Sequence, residues 1–448
     1  MNYYGNDILK KISNDIFLDK NPIKYHLSFF NHSWNKNISK IESLSTKLAL
    51  YIQKLKILID DNFILNNLSR SYDWNLIKHD YPINYEYWIK THNKILFKEF
   101  NDIYNKRLIY FNKFNSLKLI NLYTQNLVDE NILNILDYFQ NGYFISLDIK
   151  LYVENNINCC DHYMFDYIDL YFFYSKTISP KIKIDLIKHI LIISKWIYEL
   201  NPIHKINLIY FDTPNKKEIL ESSDIQYLSS QNINSGSSAT GYKIMIWRRE
   251  EITKVLIHEL IHYLNMDIKN DPHINLIIKH NIGQFDYPVL INETITEIQA
   301  QFLHSVYIST MISKSNTILD NLKTIYNFEM IYSWYQFAKI MTYYNITNYK
   351  LSLIKDKLNQ TTNVFSYYIL KSILTIDFTK IIFELDHIKK LLIVDKNYIS
   401  NCNVNQCDIL IKYISNLLRN PPKKILDKII KHLKLDDNSL RMSIFGYY

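Results

Sequence analysis

The run from Glu250 to Leu264 contains neither Gly nor Pro, and it predicts a helix. Ile252, Val255, Leu256, Ile257, Leu260, Ile261 and Leu264 spread round most of its circumference. A helix that is apolar on nearly every side is buried. Yet this one holds His258, Glu259 and His262 in the pattern His-Glu-x-x-His. Polar groups buried without partners are costly, so the pattern demands partners. Residues four apart in a helix lie one turn apart on the same face. One Zn²⁺ held at about 2.0–2.1 Å by each imidazole nitrogen would satisfy both histidines. Glu259, one step round, would stand beside the ion, where a carboxylate can take a proton from water activated by the metal.

A catalytic zinc has three protein ligands and one open position. The third does not follow directly. Asn265 and Ile268 occupy the places where the longer pattern, His-Glu-x-x-His-x-x-Gly-x-x-His, needs Gly and His. A downstream carboxylate is therefore expected. About thirty residues on, Asn292-Glu293-Thr294-Ile295-Thr296-Glu297 opens a predicted helix with Glu293 and Glu297 spaced i, i+4 on one face. One of them can be the third ligand. The other can accept the remaining ring N–H of a ligating histidine, which fixes its tautomer. Spacing alone does not say which does which.

That stretch resembles the Asn-Glu-x-x-Ser-Asp segment of the thermolysin-like gluzincins. The resemblance implies Glu293 as the ligand and Glu297 as the carboxylate behind the histidine. A second resemblance runs in patches from about residue 205 onward. Asp212-Thr213-Pro214-Asn215-Lys216-Lys217, Asn234-Ser235-Gly236, Ile246-Trp247-Arg248-Arg249-Glu250-Glu251 and Val255-Leu256-Ile257-His258-Glu259 look like the zincin metallopeptidases encoded by large DNA viruses of eukaryotes. So do Asn292-Glu293 to Gln301, Val364-Phe365-Ser366-Tyr367-Tyr368-Ile369-Leu370-Lys371 and Leu440-Arg441-Met442. Lys216-Lys217-Glu218-Ile219 departs from that pattern, since Leu-Pro is expected soon after the lysines.

The fold class expected is predominantly α with an α+β zincin core: a small mixed sheet, an active-site helix and a helical lower half. Residues 1–176 read as mostly helical, including helical spacing of Leu44, Leu48, Tyr51, Leu55 and Leu58, and a second candidate helix from Asp129 to Phe139. Residues 177–312 form the expected catalytic core. Pro180 to Leu200 is a helix with Pro at its start. Lys205–Phe211 is a strand, Asn232–Gly241 a polar loop, and Tyr242–Trp247 a second strand. In a zincin core the strand nearest the metal lies at the sheet edge and pairs with an extended substrate. Residues 313–448 are again helical and supply part of the lower half of the cleft.

Composition narrows the rest. The balance of 52 Lys+Arg against 44 Asp+Glu gives +8, spread without blocks of like charge, so no nucleic-acid tail is expected. No apolar stretch is long enough to span a membrane and no signal peptide is visible. Cys159, Cys160, Cys402 and Cys407 are not a disulfide framework and fit a reducing compartment, the host cytoplasm or a virion for a viral protein. A second zinc site from these four thiols is the weaker alternative, because the adjacent pair matches no usual metal-binding spacing.

The function expected is a zinc-dependent endopeptidase acting on a protein or peptide, with Zn²⁺ on His258, His262 and Glu293, Glu259 as general base and Glu297 behind the ligands. Asn234, Ser235, Gly236 and Met245 are the candidate substrate contacts. Tyr367 or Tyr368 is the candidate oxyanion donor, although 37 tyrosines make any single one a weak signal. The alternative is an inactive zincin scaffold that serves as a structural or binding protein, such as a virion component; the presence of Glu259 speaks against it. Oligomeric state is not legible.

Overall fold

The computed structural model describes residues 38–74, 145–219, 228–267, 289–313, 317–360, 362–375, 422–433 and 437–446, with a few single positions besides. The elements in chain order are α1 (Ile38–Leu58), α2 (Asp61–Asn66), β1 (Leu68–Asp73), α3 (Leu147–Asn156), β2 (Cys159–Met164), β3 (Ile168–Tyr174) and α4 (Pro180–Tyr198). They continue with β4 (Ile206–Phe211), α5 (Ser230–Ile233), β5 (Gly236–Ala239), β6 (Lys243–Ile246), α6 (Ile252–Tyr263), α7 (Ile291–Ile312), α8 (Ile318–Tyr343) and α9 (Leu351–Lys357). A π-helical turn (Phe365–Leu370), α10 (Lys371–Leu374) and α11 (Lys423–His432) follow. The fold is mixed helix and sheet.

The six strands form one sheet in the order β1-β2-β3-β4-β6-β5. Its centre, β3-β4-β6, is parallel and the outer pairs are antiparallel. Parallel neighbours need a crossover, and α4 supplies it between β3 and β4. Ser179 starts that helix, accepting from Ile182 N at 3.2 Å, with Pro180 at the first position, where no N–H is missed.

Side chains alternate across a strand, which gives the sheet two different faces. Leu170, Phe172, Leu208, Tyr210, Ile244 and Ile246 join the large core with α4, α6, α7 and α8. Tyr171, Phe173, Ile209, Phe211, Met245 and Trp247 form a second core with Trp74 and with Ile149 and Val153 of α3. Helix α6 is buried almost from end to end, as its sequence requires.

Several elements differ from expectation. Among the described residues before 177, strands β1, β2 and β3 stand beside helices α1, α2 and α3, and β3 pairs directly with β4. Ile168–Tyr174 is dense in aromatic and apolar residues because both of its faces are covered, which hides the alternation of a half-buried strand. The polar stretch Asn232–Gly241 is a strand over Gly236–Ala239, and this strand, not β6, lies at the sheet edge. Small polar side chains conceal it. Strand β6 is interior, and Met245 faces α3 on the far side of the sheet from α6, so it cannot touch a ligand at His258. In α1, Leu48 and Leu55 are buried as expected, whereas Leu58 is exposed and Ile41 and Ile52 complete the buried face. Asp129–Phe139, Cys402 and Cys407 lie outside the described stretches. Cys159 and Cys160 lie on opposite faces of β2, with Cys160 buried.

Candidate metal centre

Helix α6 brings His258 and His262 together, and α7 lies against it with Glu293 in its first turn. His258 Nε2 and His262 Nε2 are 3.1 Å apart, and Glu293 Oε2 is 3.4 Å from the first and 3.5 Å from the second. Donor atoms about 2.0–2.1 Å from a tetrahedral ion stand about 3.3 Å from one another. Among the described residues this trio is the one cluster of metal-ligand side chains whose donor atoms converge in this way.

The outward ring nitrogens explain why the inward ones converge. His258 Nδ1 lies 2.9 Å from Glu297 Oε1, and His262 Nδ1 lies 2.8 Å from Asp267 Oδ2. An ionised carboxylate only accepts, so each Nδ1 carries its proton toward its carboxylate. Both Nε2 lone pairs then face each other and Glu293 Oε2. Three acceptors meeting this closely require positive charge between them, either extra protons on the rings or a metal ion. Two imidazoles and a carboxylate at these spacings fit zinc.

The electrostatics show the same demand for positive charge at this point. Burial raises a carboxyl group, but the two imidazoles beside Glu293 outweigh it and hold that group well below the usual range. Burial likewise disfavours a charged imidazole, yet Glu293 and Glu297 push His258 up, and Asp267 and Glu293 push His262 well above its ordinary value.

Glu259 sits beside this triangle, buried, with its carboxyl raised mainly by burial. Ser238 Oγ donates to Glu259 Oε2 at 2.7 Å. Ser238 and Gly236 are two apart on β5 and so share the face toward α6. A Cβ on Gly236 would stand 2.9 Å from both Glu259 Oε1 and Val255 Cγ1, so only glycine lets this edge come so close. Gly236, Ser235 and Asn234 line a cavity of about 50 Å³ together with His258, Glu259 and Met442. Asn234 is already engaged: its carbonyl accepts from Trp247 Nε1 and Arg248 Nε at 3.2 and 3.1 Å, and its Oδ1 from Thr362 at 3.0 Å.

The two tyrosines separate. Tyr367, on the π-helical turn, donates to Glu293 Oε2 at 2.8 Å. Tyr368 points the other way and donates to the carbonyl of Leu440. The structure therefore brings His258, Glu259, His262, Glu293, Glu297, Gly236 and Tyr367 to one place, and leaves Met245 and Tyr368 out of it.

Sequence reading missed Asp267, Ser238, Lys254 and Lys371. Asp267 arrives because α6 ends on Asn265 in the left-handed region, φ 53°, with Met266 N bonded to Ile261 O at 2.8 Å. This closing turn folds the next residues back over the last helical turn. Asn265, where the longer zinc pattern has Gly, is the asparagine that such a turn tolerates. The departure at Lys216–Ile219 is also accounted for. Lys217 is buried against Glu251 at 2.8 Å, and Leu440 N and Asn438 O tie its chain segment down.

Comparisons with known proteins add little identity. No protein-family model matches the chain, and no solved structure does. A segment of 122 residues is 25% identical to "Uncharacterized protein R210" of Acanthamoeba polyphaga mimivirus, covering 27% of this chain and 31% of that protein. The chain thus matches less than a third of this viral relative. Among the described residues no helix is long and apolar enough to cross a membrane.

Proposed function

We propose that this chain is a zinc-dependent peptidase of the zincin type, and that His258, His262 and Glu293 hold the metal. The observation that carries the reading is the triangle of donor atoms with Glu259 beside it. A bound Zn²⁺ supplies Lewis acidity, which makes water nucleophilic near neutral pH. The chain's own residues do the rest. Glu259 takes a proton from the attacking water as its oxygen bonds to the scissile carbonyl carbon. It then delivers that proton to the amide nitrogen as the C–N bond breaks.

Among the described residues β5 is the half-buried sheet edge beside Glu259, and an extended peptide can add to it as a further strand, with backbone hydrogen bonds fixing its register. Gly236 lets this strand lie close against Glu259 and Val255 of α6. Tyr367 is the candidate donor for the carbonyl oxygen as it gains charge, once its hydroxyl turns from Glu293 Oε2 to that oxygen. The likeness to a mimivirus protein supports a viral setting for this activity.

Glu259→Gln keeps the size of the side chain and removes the base. Turnover of a mixed peptide library, read by mass spectrometry on zinc-loaded protein, should fall about 10²–10⁴-fold while zinc content stays the same. Equal turnover in both proteins would overturn the mechanism. Full zinc occupancy without turnover in either would favour a binding role on the same scaffold.

A further inference from the structure

Glu297 does not act alone behind His258. Lys254 lies one turn before His258 on α6, and its Nζ contacts both carboxylate oxygens of Glu297. Lys371 opens α10, and its Nζ stands 3.6 Å from Glu297 Oε2 and 3.4 Å from the carbonyl of Met442. The side chains of Lys254, Glu297 and Lys371 are at most 2% exposed. Lysine in such a place is expensive: a buried charge lacks the solvation that water gives it. Glutamate opposite one lysine would complete a pair. Here two lysines from two different helices converge on one carboxylate whose other neighbour is a histidine.

The approach of Lys371 depends on an unusual element. Tyr367 and Lys371 are four residues apart across the π-helical turn and its junction with α10. They meet Glu293 and Glu297, also four apart, on the facing helix α7. π-helical turns cost stability and cluster at functional sites. This one delivers one contact to the ligand carboxylate and one to the carboxylate behind the ligand histidine.

We infer that Lys254 and Lys371 are positioning residues of the metal centre, which pin Glu297 so that it holds His258 with Nε2 turned to the ion. The inference rests on the zinc reading above. Neither lysine touches the ion or the reacting atoms. Both act through Glu297 on the geometry of His258.

The test is a double-mutant cycle on the full-length protein, read as zinc affinity by competition with a chromogenic chelator. Lys254→Met should weaken zinc about 10- to 100-fold, the usual loss when a ligand's hydrogen-bonding support is disturbed. Lys371→Met should weaken it less, because its contact is longer. In a Glu297→Gln background Lys254→Met should have almost no further effect, since the two act on one another. Lys339→Met, which removes another buried lysine paired with Asp437, controls for general loss of stability and should leave zinc affinity unchanged. Additive losses in the cycle, or an equal loss in Lys339→Met, would overturn the inference. If Lys254→Met fails to fold, Lys371→Met carries the same cycle. Wild-type protein that binds no zinc would instead overturn the underlying zinc reading.

Discussion

The two histidines of this centre each have a carboxylate at the outer ring nitrogen, in opposite surroundings. His258 leans on Glu297 at 2.9 Å and His262 on Asp267 at 2.8 Å. Behind Glu297 lie two buried lysines and the centre of the fold. Asp267 sits in the turn after α6, at the rim, with its side chain 17% exposed. The inner half is built from three elements far apart in sequence. The outer half is built by six consecutive residues, His262 to Asp267, one of them the left-handed Asn265. Similar distances therefore do not mean equal energy. Removing one member of a buried charged group strands the others in a medium of low polarity, whereas a rim carboxylate is replaced by water.

That contrast can be broken by experiment. Glu297→Gln should cost about 3–5 kcal/mol of stability, because Lys254 and Lys371 lose their counter-charge, and should weaken zinc about 10- to 100-fold. Asp267→Asn should weaken zinc by only about 10-fold, at the lower end of that range, and change stability by less than about 1 kcal/mol. Urea unfolding and chelator competition on the two variants measure both quantities. If Asp267→Asn unfolds the protein as readily as Glu297→Gln, the distinction between inner and outer halves is wrong.

The smallest expected effect concerns the buried polar layer beneath the inner half. His304 is fully buried, hydrogen-bonded to Thr253 Oγ1 at 2.9 Å, and burial pushes it down to about 3 from an ordinary 6.5. Because the folded value is the lower one, the unfolded chain binds the extra proton first as pH falls. Stability is thus retained above about 6.5 and lost progressively below it. Between pH 7 and pH 6 this one group should cost about 0.7 kcal/mol. Denaturant melts of wild type and His304→Gln should differ in their pH slope by that amount, and identical slopes would remove His304 from the account.

The same contrast explains what the sequence could disclose. His258, Glu259 and His262 are legible because a helix turns a spacing of four into a shared face. Glu293 and Glu297 are legible for the same reason. Asp267 depends on the backbone of Asn265, whose left-handed turn no spacing announces. Lys254 carried a signal that was passed over. In a helix apolar on nearly every side a lysine has no solvated face to occupy, so it needs a buried partner as much as the histidines do. Lys371 depends on a π-helical turn that its residues do not advertise. Edge strand β5 was hidden by composition, since Gly-Ser-Ser-Ala is the language of loops. It becomes a strand because β6 pairs with it in register, Gly236 to Ile246 and Ser238 to Ile244. Met245 was misplaced by a single step, and in a strand one step changes the face.

The central claim is that three donor atoms converge on one metal ion. The most direct measurement is the metal content of the purified full-length chain after incubation with equimolar Zn²⁺ and removal of the excess, by elemental analysis, beside His258→Ala. The account predicts one zinc per wild-type chain and almost none in the variant, with His262 and Glu293 alone too few to retain it. No zinc in the wild type, or equal zinc in both, would contradict it.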